Sequence, residues 1–317
     1  MTAEGSVVVI GSVNLDLSVR VPRIAGPGET LLASSMTRSG GGKGANQAVA
    51  AALAGAATTF IGCVGDDADG ARLRNSLTIF GVRTDLLATV DAPTGIALIS
   101  VDDDGENAII VVPGANAAVG DPTAEQRTRI AEADVLLAQL EIPQPSVVAA
   151  ARACTTATTF ILNAAPSAPL SEELWSLVDI LVVNQHEALD LCGPHAVDLD
   201  RATQTLTDRV PVVILTLGSA GSVLARRGRE PLRIPAPAVA AVDTTAAGDT
   251  FCGVLAAALA RGCDLLEAVR LGSAAASLAV GRPGAQDSVP TAGETRTQRD
   301  AAYPAPAPAA TPADAQA

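Results

Sequence analysis

The sequence predicts an α/β protein: a three-layer, mostly parallel sheet with helices on both faces, plus a small separate β-sheet that would act as a lid. The chain of 317 residues is 48% hydrophobic and 17% charged, which is enough to bury a large core. From about residue 123 onward, helical segments alternate with short apolar runs, the rhythm of a parallel sheet. These runs are residues 135–140, 159–162, 180–183 and 212–217.

The small sheet is predicted from a break in that rhythm. Two apolar runs at 94–101 and 106–112 flank the turn residues 102–105, which is the pattern of a β-hairpin. Residues 22–39 carry turn residues and no helical period, so they predict short strands or loops. We therefore expect the lid to comprise about 14–39 and 94–112.

The N-terminal part predicts the first strand of the main sheet. The apolar run 6–10 is followed by Asn14 and Asp16, whose spacing of two places both side chains on one face of an extended chain. The glycine-rich run 40–44 then opens an alanine-rich helix that extends to about residue 55.

Polar residues and glycines follow the apolar runs of the main sheet. In parallel sheets, ligands bind beyond the carboxyl ends of the strands. The residues at those ends are Glu141, Asn163, Asn184 with Glu187, and the stretch 218–221.

The C-terminal part changes character after Pro290, where Thr, Gln, Ala and Pro predominate. We expect one folded domain over residues 1–295 and a disordered Ala/Pro-rich tail over residues 296–317.

Composition argues against several partners and compartments. A net charge of −13 and a pI near 4.5 argue against nucleic-acid binding and against an anionic membrane surface. The five cysteines form no C-x-x-C pair, and the sequence shows no signal peptide and no apolar run of transmembrane length. A cytoplasmic protein is expected.

The stretch 242–251 predicts a glycine-containing loop that leads into an apolar helix. A helix N-terminus offers free N–H groups and a positive dipole, which suit a phosphate or a developing anion. Asp249 lies at this point. It could be a simple helix cap or a reactive carboxylate.

The glycine run 40–44 does not fit the two familiar nucleotide motifs. A P-loop requires Ser or Thr where Gly44 stands, and a dinucleotide fingerprint requires a preceding buried strand, whereas residues 34–39 are polar. A flexible turn or a hydroxyl-binding loop that includes Asn46 both remain open.

Taken together, these motifs resemble the ribokinase family within the ribokinase-like carbohydrate kinases, over residues 6–290 in order. The matching stretches are GSVNLD at 11–16, PGET at 27–30, GGKGANQA at 41–48, GANA at 114–117, TLGSAG at 216–221, DTTAAGDT at 243–250 and GAQ at 284–286 with Val289 and Pro290.

The resemblance implies transfer of the γ-phosphate of ATP to the 5-hydroxyl of D-ribose, with Mg²⁺ and an activating K⁺. Asp249 would be the base, and the backbone N–H groups of Ala246, Ala247, Gly248 and Asp249 would form an anion hole. The residues implied to hold the sugar are Asn14, Asp16, Gly42, Lys43, Asn46, Glu141 and Asp249. Those implied for the nucleotide and metal side are Asn184, Glu187, Thr216, Gly218, Gly221, Gly248 and Ser273. Those implied for the monovalent cation are Asp243, Thr245, Ala279, Arg282, Gly284 and Ser288, for which an ordinary loop is the alternative.

Three departures from the family pattern affect these expectations. Ala164 replaces a usual proline, Ser273 stands where an asparagine often lies beside adenine, and no clear terminal helix follows Pro290. The alternatives are a kinase for deoxyribose, fructose or a nucleoside, and a non-catalytic sugar-binding regulator on the same fold. A homodimer through the exposed edges of the lid is also expected.

Overall fold

The computed structural model describes residues 5–193 and 198–304. Its strands are β1 (Ser6–Ile10), β2 (Asn14–Arg20), β3 (Ser35–Gly41), β4 (Ala57–Gly65), β5 (Leu87–Val90), β6 (Gly95–Val101), β7 (Asn107–Val112), β8 (Val135–Ala138), β9 (Thr159–Asn163), β10 (Ile180–Asn184), β11 (Val212–Thr216), β12 (Ser222–Arg226) and β13 (Leu232–Ile234). Its α-helices are α1 (Lys43–Leu53), α2 (Ala68–Ile79), α3 (Ala124–Ala131), α4 (Gln144–Ala151), α5 (Glu172–Leu177), α6 (Gln185–Cys192), α7 (Leu199–Arg209), α8 (Ala247–Ala260), α9 (Leu265–Ala279) and α10 (Ala292–Ala302).

Nine strands form the main sheet, in the order β13-β12-β11-β10-β9-β8-β1-β4-β5. The strands from β11 to β5 pair in parallel, whereas β12 and β13 add an antiparallel edge. The predicted fold class is therefore confirmed. The polar residues that follow the central strands gather at one edge of the sheet, as a parallel arrangement requires.

The core lies on both faces of this sheet. Along β1, Val7 and Val9 pack on one face and Val8 and Ile10 on the other, so the strand is apolar throughout. On the first face, α1 and α8 pack closely: a side chain at Gly253 would lie 2.3 Å from the backbone oxygen of Gln47. The alanine-rich helices allow this approach, and it brings the N-termini of α1 and α8 together.

The small sheet has the order β3-β2-β6-β7 and lies outside the main one. The β2–β6 pairing is parallel, and the other two pairings are antiparallel. The predicted hairpin is β6–β7, and in its turn the Asp102 carboxylate accepts from the N–H groups of Asp104 and Glu106. The first residues of β2 are buried against the main domain, while every residue of β7 is exposed.

The start of the disordered tail was predicted too early, at residue 296. Residues 292–302 form α10, which starts with a capping box between Thr291 and Glu294. The T-x-x-E capping box stabilises the start of this helix, although the residues that follow it show only a weak helical pattern. Tyr303 then donates to the carbonyl of Pro235 at 2.6 Å, which ties this end to the main domain. Residues 305–317 lie outside the described residues.

Within the described ranges, no helix combines the length and apolar character needed to span a membrane.

Candidate active site

The site forms where the start of β2 and the N-termini of α1 and α8 meet. Asn46 and Asp249 are 203 residues apart in sequence, yet the Asn46 side chain donates to Asp249 Oδ2 at 3.0 Å. Asp249 is 7% exposed and Asn46 is 6% exposed. The two motifs that the sequence singled out separately are thus parts of one buried polar cluster.

Asp249 lies in the first turn of α8 but does not cap it. The N-cap residue is Ala246, in the left-handed conformation with φ of 57°, and no side chain caps the helix. Instead the Asp249 carboxylate accepts one amide hydrogen on each oxygen, from Asn46 and, at 3.1 Å, from Gln47. The helix-cap reading therefore does not describe this residue.

Opposing influences set the charge of Asp249. Burial raises the pKa of its carboxyl, while Lys43 and the two amide donors favour the ionised form. Burial also opposes the charge of Lys43, but the carboxylates of Asp249, Glu141 and Glu187 outweigh it and raise the Lys43 pKa. The Lys43 ammonium and the surrounding carboxylates thus stabilise one another in their charged forms.

Asn14 and Asp16 are both buried and lie on the same face of β2. Burial, and then the charges of Glu141 and Asp249, raise the pKa of Asp16 to about 7. Among the described residues nothing bonds to its Oδ1 atom. A side chain at Gly41 would overlap the Asp16 carboxylate, at 2.0 Å from Oδ2, so glycine there keeps the carboxylate in place.

Asn116 fixes the orientation of Asn14. It accepts from the N–H of Val13 and donates to Val13 O and, at 2.7 Å, to Asn14 Oδ1. The Asn14 amide must then present its NH₂ group to any ligand. The sequence offered Asn116 only as part of a family motif, without a role.

Glu141 connects the glycine run to β1. Its Oε2 accepts from the hydroxyl of Ser12 and from the N–H of Lys43 at 3.0 Å. Part of this side chain therefore fixes the start of α1. The sequence offered Ser12 only as part of the GSVNLD motif, without a role, because a lone serine after a strand carries no distinctive pattern.

A cavity of about 240 Å³ opens beside Asp249 on the side of the main sheet. Asn184 and Glu187 at its wall form a reciprocal capping box at the start of α6. Of the predicted residues, those lining it are Lys43, Asn184, Glu187, Thr216, Ala246, Ala247, Gly248 and Asp249. Lys43, expected on the sugar side, thus also faces this cavity.

The remaining nucleotide-side predictions lie apart from the cavity walls. Gly218 opens a short 3₁₀ turn, and Gly221 has φ of 95° with no room for a side chain, which would lie 2.0 Å from Ile234 O. Ser273 is buried on α9 beside the Tyr303 hydroxyl. Close packing already accounts for Gly221 without a ligand.

The residues predicted for a monovalent cation come from two loops that lie together. The Asp243 carboxylate accepts from the N–H groups of Thr245 and Gly284, each at 2.9 Å. The N–H groups of Val242 and Asp243 both donate to the carbonyl of Val280. The Arg282 guanidinium turns away and pairs with Glu294, and Ser288 is fully buried. Ala279 ends α9 and accepts from the N–H of Arg282.

Three buried amides complete the cluster: Gln47, Asn163 and Gln286. The sequence placed Asn163 at the end of a strand and the other two within family motifs, but it gave none of them a role. Gln47 donates to Asn163 as well as to Asp249, and Gln286 donates to Asn46 at 3.3 Å. Gln47 follows Asn46 directly in the glycine motif, and that adjacency was the available signal. Another cavity, of about 330 Å³, lies against α2 and touches none of the predicted site residues.

The chain is similar to known proteins both in sequence and in structure. The model of the pfkB family of carbohydrate kinases matches residues 4–292. A ribokinase of Haemophilus influenzae is 41% identical over 294 residues, covering 90% of this chain and 96% of that protein. The crystal structure of a ribokinase from Thermotoga maritima superposes with a TM-score of 0.86 at 36% identity, covering 93% of this chain and 99% of that one. An Arabidopsis thaliana ribokinase complexed with ribose and ATP gives 0.87 at 34% identity, covering 94% and 99%.

Proposed function

The chain belongs to the pfkB family of carbohydrate kinases, and we propose that its site transfers the γ-phosphate of ATP to the 5-hydroxyl of D-ribose. The enzyme is a sugar kinase, and ribose and ATP are its substrates. The observation that carries the assignment of roles is the position of Asp249: it lines the 240 Å³ cavity, and it also bonds to Asn46 and lies close enough to Asp16 to raise the pKa of that carboxyl. A group there can contact both reactants.

On the sugar side, Asp16 accepts hydrogen bonds from the hydroxyls of ribose, and Asn14 and Asn46 add amide contacts. The fixed orientation of Asn14 makes it a donor to a sugar oxygen. Glu141 supports this pocket from the start of α1. The lid lies over the same pocket and limits water there during transfer.

The transfer needs alignment and charge stabilisation more than a strong base, because its transition state is loose. Asp249 takes the proton of the 5-hydroxyl late in the transfer. The N–H groups of Gly248 and Asp249 donate to no atom of the described residues, whereas that of Ala247 donates to Thr244 O. The anion hole is therefore formed by Gly248 and Asp249 at the N-terminus of α8.

The phosphate chain of ATP fits the cavity beside Gly248. A side chain added at Gly248 would meet no atom within 4 Å, so the space above this backbone is open. Lys43 supplies a positive charge at the wall. Thr216 and Asn184 line the cavity, and Gly218, Gly221 and Ser273 belong to neighbouring segments on the nucleotide side.

Magnesium fits the same cavity through Glu187. Among residues 5–193 and 198–304 there is no cluster of three or more His, Cys, Asp or Glu able to hold a metal. Mg²⁺ ordinarily takes one or two carboxylates together with phosphate oxygens and water, so a dedicated cluster is not required. When bound, it neutralises charge on the phosphates.

Potassium fits the two loops joined by Asp243. A weakly hydrated cation suits carbonyl oxygens, and Thr245, Ala279, Arg282, Gly284 and Ser288 would contribute mainly through their backbone. The loop that carries Asp243 continues directly into Ala246 and Gly248, so a cation there would support the anion hole. Equal rates in potassium and in a bulky organic cation would contradict this site.

The protein would work in the cytoplasm as a homodimer. All five cysteines are free thiols, which suits a reducing compartment. The dimer would form through the lid, whose strand β7 is exposed along its whole length.

A phosphorylation screen with ATP tests the substrate. Ribose should give the highest kcat/KM among ribose, deoxyribose, fructose and adenosine. Equal efficiency on all of them would overturn the choice of ribose, and binding of ribose without any turnover would favour a regulator.

Replacement of the base tests the mechanism. Asp249→Asn should lower kcat by about 10²- to 10⁴-fold, because the amide cannot accept the proton. Ribose binding, measured by calorimetry without ATP, should persist. A variant that retains wild-type kcat would show that Asp249 is not the base.

A further inference from the structure

Gln47 is the second donor to the Asp249 carboxylate, and no role has been given to it above. It is fully buried in α1, does not line the cavity and bonds to Asp249 Oδ1 at 3.1 Å. Asn46, the other donor, also belongs to the sugar pocket. Gln47 is therefore the donor to Asp249 that has no proposed contact with the sugar.

The Gln47 amide is anchored from behind. Its Nε2 also donates to Asn163 Oδ1 at 3.0 Å, and Asn163 Nδ2 donates to the backbone carbonyl of Val182. A carbonyl can only accept, so the orientation of Asn163 is fixed by the main chain of β10. A reversed Gln47 amide would set its oxygen against two acceptor oxygens, so its orientation is fixed as well.

The arrangement costs stability. Gln47 Oε1 is buried and has no hydrogen-bond partner among the described residues. A buried acceptor left unpaired is unfavourable, and an apolar side chain of similar size would fill this space without that cost. The two hydrogen bonds that Gln47 Nε2 donates explain why an amide, and not an apolar side chain, lies there.

We propose that Gln47 is a positioning residue: anchored by Asn163 and the Val182 carbonyl, it holds the Asp249 carboxylate ionised and in one orientation, without touching substrate. The inference rests on the proposed function, since it assigns Asp249 as the base. Donors on both carboxylate oxygens favour the anion and restrict rotation of the group.

Gln47→Met removes both hydrogen bonds that Nε2 donates and keeps a side chain of similar volume. We expect kcat to fall about ten- to a hundredfold, as for loss of an outer partner that orients a reactive group. The dissociation constant for ribose, measured without ATP, should change less than about threefold, because the sugar contacts remain.

The pH dependence of kcat separates positioning from a structural role. Without the Gln47 donor the Asp249 carboxyl holds its proton to higher pH, so the acid limb should move to higher pH. The other charged or titratable groups that face Asp249 are Lys43, Glu141, Asp16, Glu187 and Cys252. None of these groups is changed in the variant. Measuring kcat at saturating ribose removes the effect that protonation of Asp16 has on ribose binding.

Gln139→Met is the matched control. Gln139 is also fully buried, donates to a backbone carbonyl, Ile10 O, and has an unpaired Oε1, but it does not contact Asp249. Its variant should match Gln47→Met in stability and retain wild-type kcat. Equal loss of kcat in both variants, or a wild-type kcat and acid limb in Gln47→Met, would overturn the proposal.

If Gln47→Met does not fold, Asn163→Ala tests the same anchor. It frees the Gln47 amide to turn, so the acid limb should shift in the same direction, and an unmoved limb would overturn the proposal. Wild-type turnover of ribose in the same assay separates the two hypotheses. If the wild type turns over no sugar, the proposed function fails and the inference with it. If the wild type is active and Gln47→Met equals it, only the inference fails.

Discussion

At the scale of single residues, the site is defined by how amides orient one another around two carboxylates. Asn116 turns the Asn14 amide so that it offers donors, while Asp16 beside it offers acceptors. A hydroxyl can donate to one and accept from the other. The pocket therefore suits a ligand with several hydroxyls.

Ribose affinity should depend on pH through Asp16. Its pKa is raised to about 7, and only the ionised form accepts from two hydroxyls. As pH falls from about 8 to about 6, the ionised fraction falls about tenfold, so the dissociation constant should rise by about that factor. Titration calorimetry of ribose across this range measures it.

Asp16→Asn provides the comparison, since an amide does not titrate there. Its ribose affinity should be weak and flat with pH, and a wild-type affinity that is equally flat would contradict the role of Asp16. For folding the sign is opposite. The native state retains a proton that the unfolded chain releases above the usual 3.8, so this group's contribution to stability is lost as pH rises toward about 7.

At the scale of elements, the N-terminus of α8 has no side-chain cap, which leaves room for the anion proposed to bind there. Ala246 has φ of 57°, a conformation that costs a non-glycine residue about 1 kcal/mol or more. The N–H groups of Gly248 and Asp249 have no acceptor among the described residues, and both residues line the cavity. The strained residue therefore lies beside the proposed base.

Gly248→Ala should leave the fold intact and damage the reaction. The added methyl meets no protein atom within 4 Å, and alanine favours a helix by up to about 1 kcal/mol over glycine. The melting temperature should stay level or rise, while the methyl occupies phosphate space. We expect kcat/KM for ATP to fall at least about tenfold.

Gly293→Ala is a matched control, because Gly293 is likewise the second residue of a helix, α10, after an alanine, and its added methyl would make only an ordinary contact with Thr291 Oγ1 at 4.0 Å. It should gain similar stability and retain full activity. Full activity in Gly248→Ala would contradict the proposal that the ATP phosphates bind at this loop.

At the scale of the whole molecule, the lid exposes apolar side chains on both of its faces. Leu98 and Ile110 pair on one face, with exposures of 43% and 65%, and Ile109 and Val111 lie on the other, at 55% and 44%. Monomeric proteins rarely expose large apolar patches, so exposed apolar faces such as these are typical of interaction sites. In the proposed dimer, a second copy of the lid would cover one of these faces.

Light scattering should therefore find a dimer, and Ile110→Lys should shift it toward monomer by placing a charge in the interface. Ile79→Lys is the control: Ile79 is 74% exposed at the end of α2, and its replacement should leave the dimer unchanged. A wild-type monomer at micromolar concentration would contradict the proposed interface.

Much of this architecture could be read from local patterns. The apolar runs predicted the strands β8 to β11, and the 94–112 pattern predicted the hairpin β6–β7, because burial and turn chemistry depend on near neighbours in sequence. The helix α10 was missed although Thr291 and Glu294 carry its capping box. The prediction of a disordered tail relied on the Thr, Gln, Ala and Pro content after Pro290 and gave no weight to this capping box.

The sequence by itself determined the alternation of strands and helices, the motifs and the residues able to do chemistry. Only the tertiary structure decided that Asp249 is not a helix cap, since its carboxylate bonds to Asn46 and Gln47, 203 and 202 residues away. The same holds for Asn116 and Asn163, whose amides are oriented by distant backbone groups. The physical reason is that propensity and periodicity act over a few residues, whereas the charge and orientation of a buried polar group depend on whatever the fold packs against it.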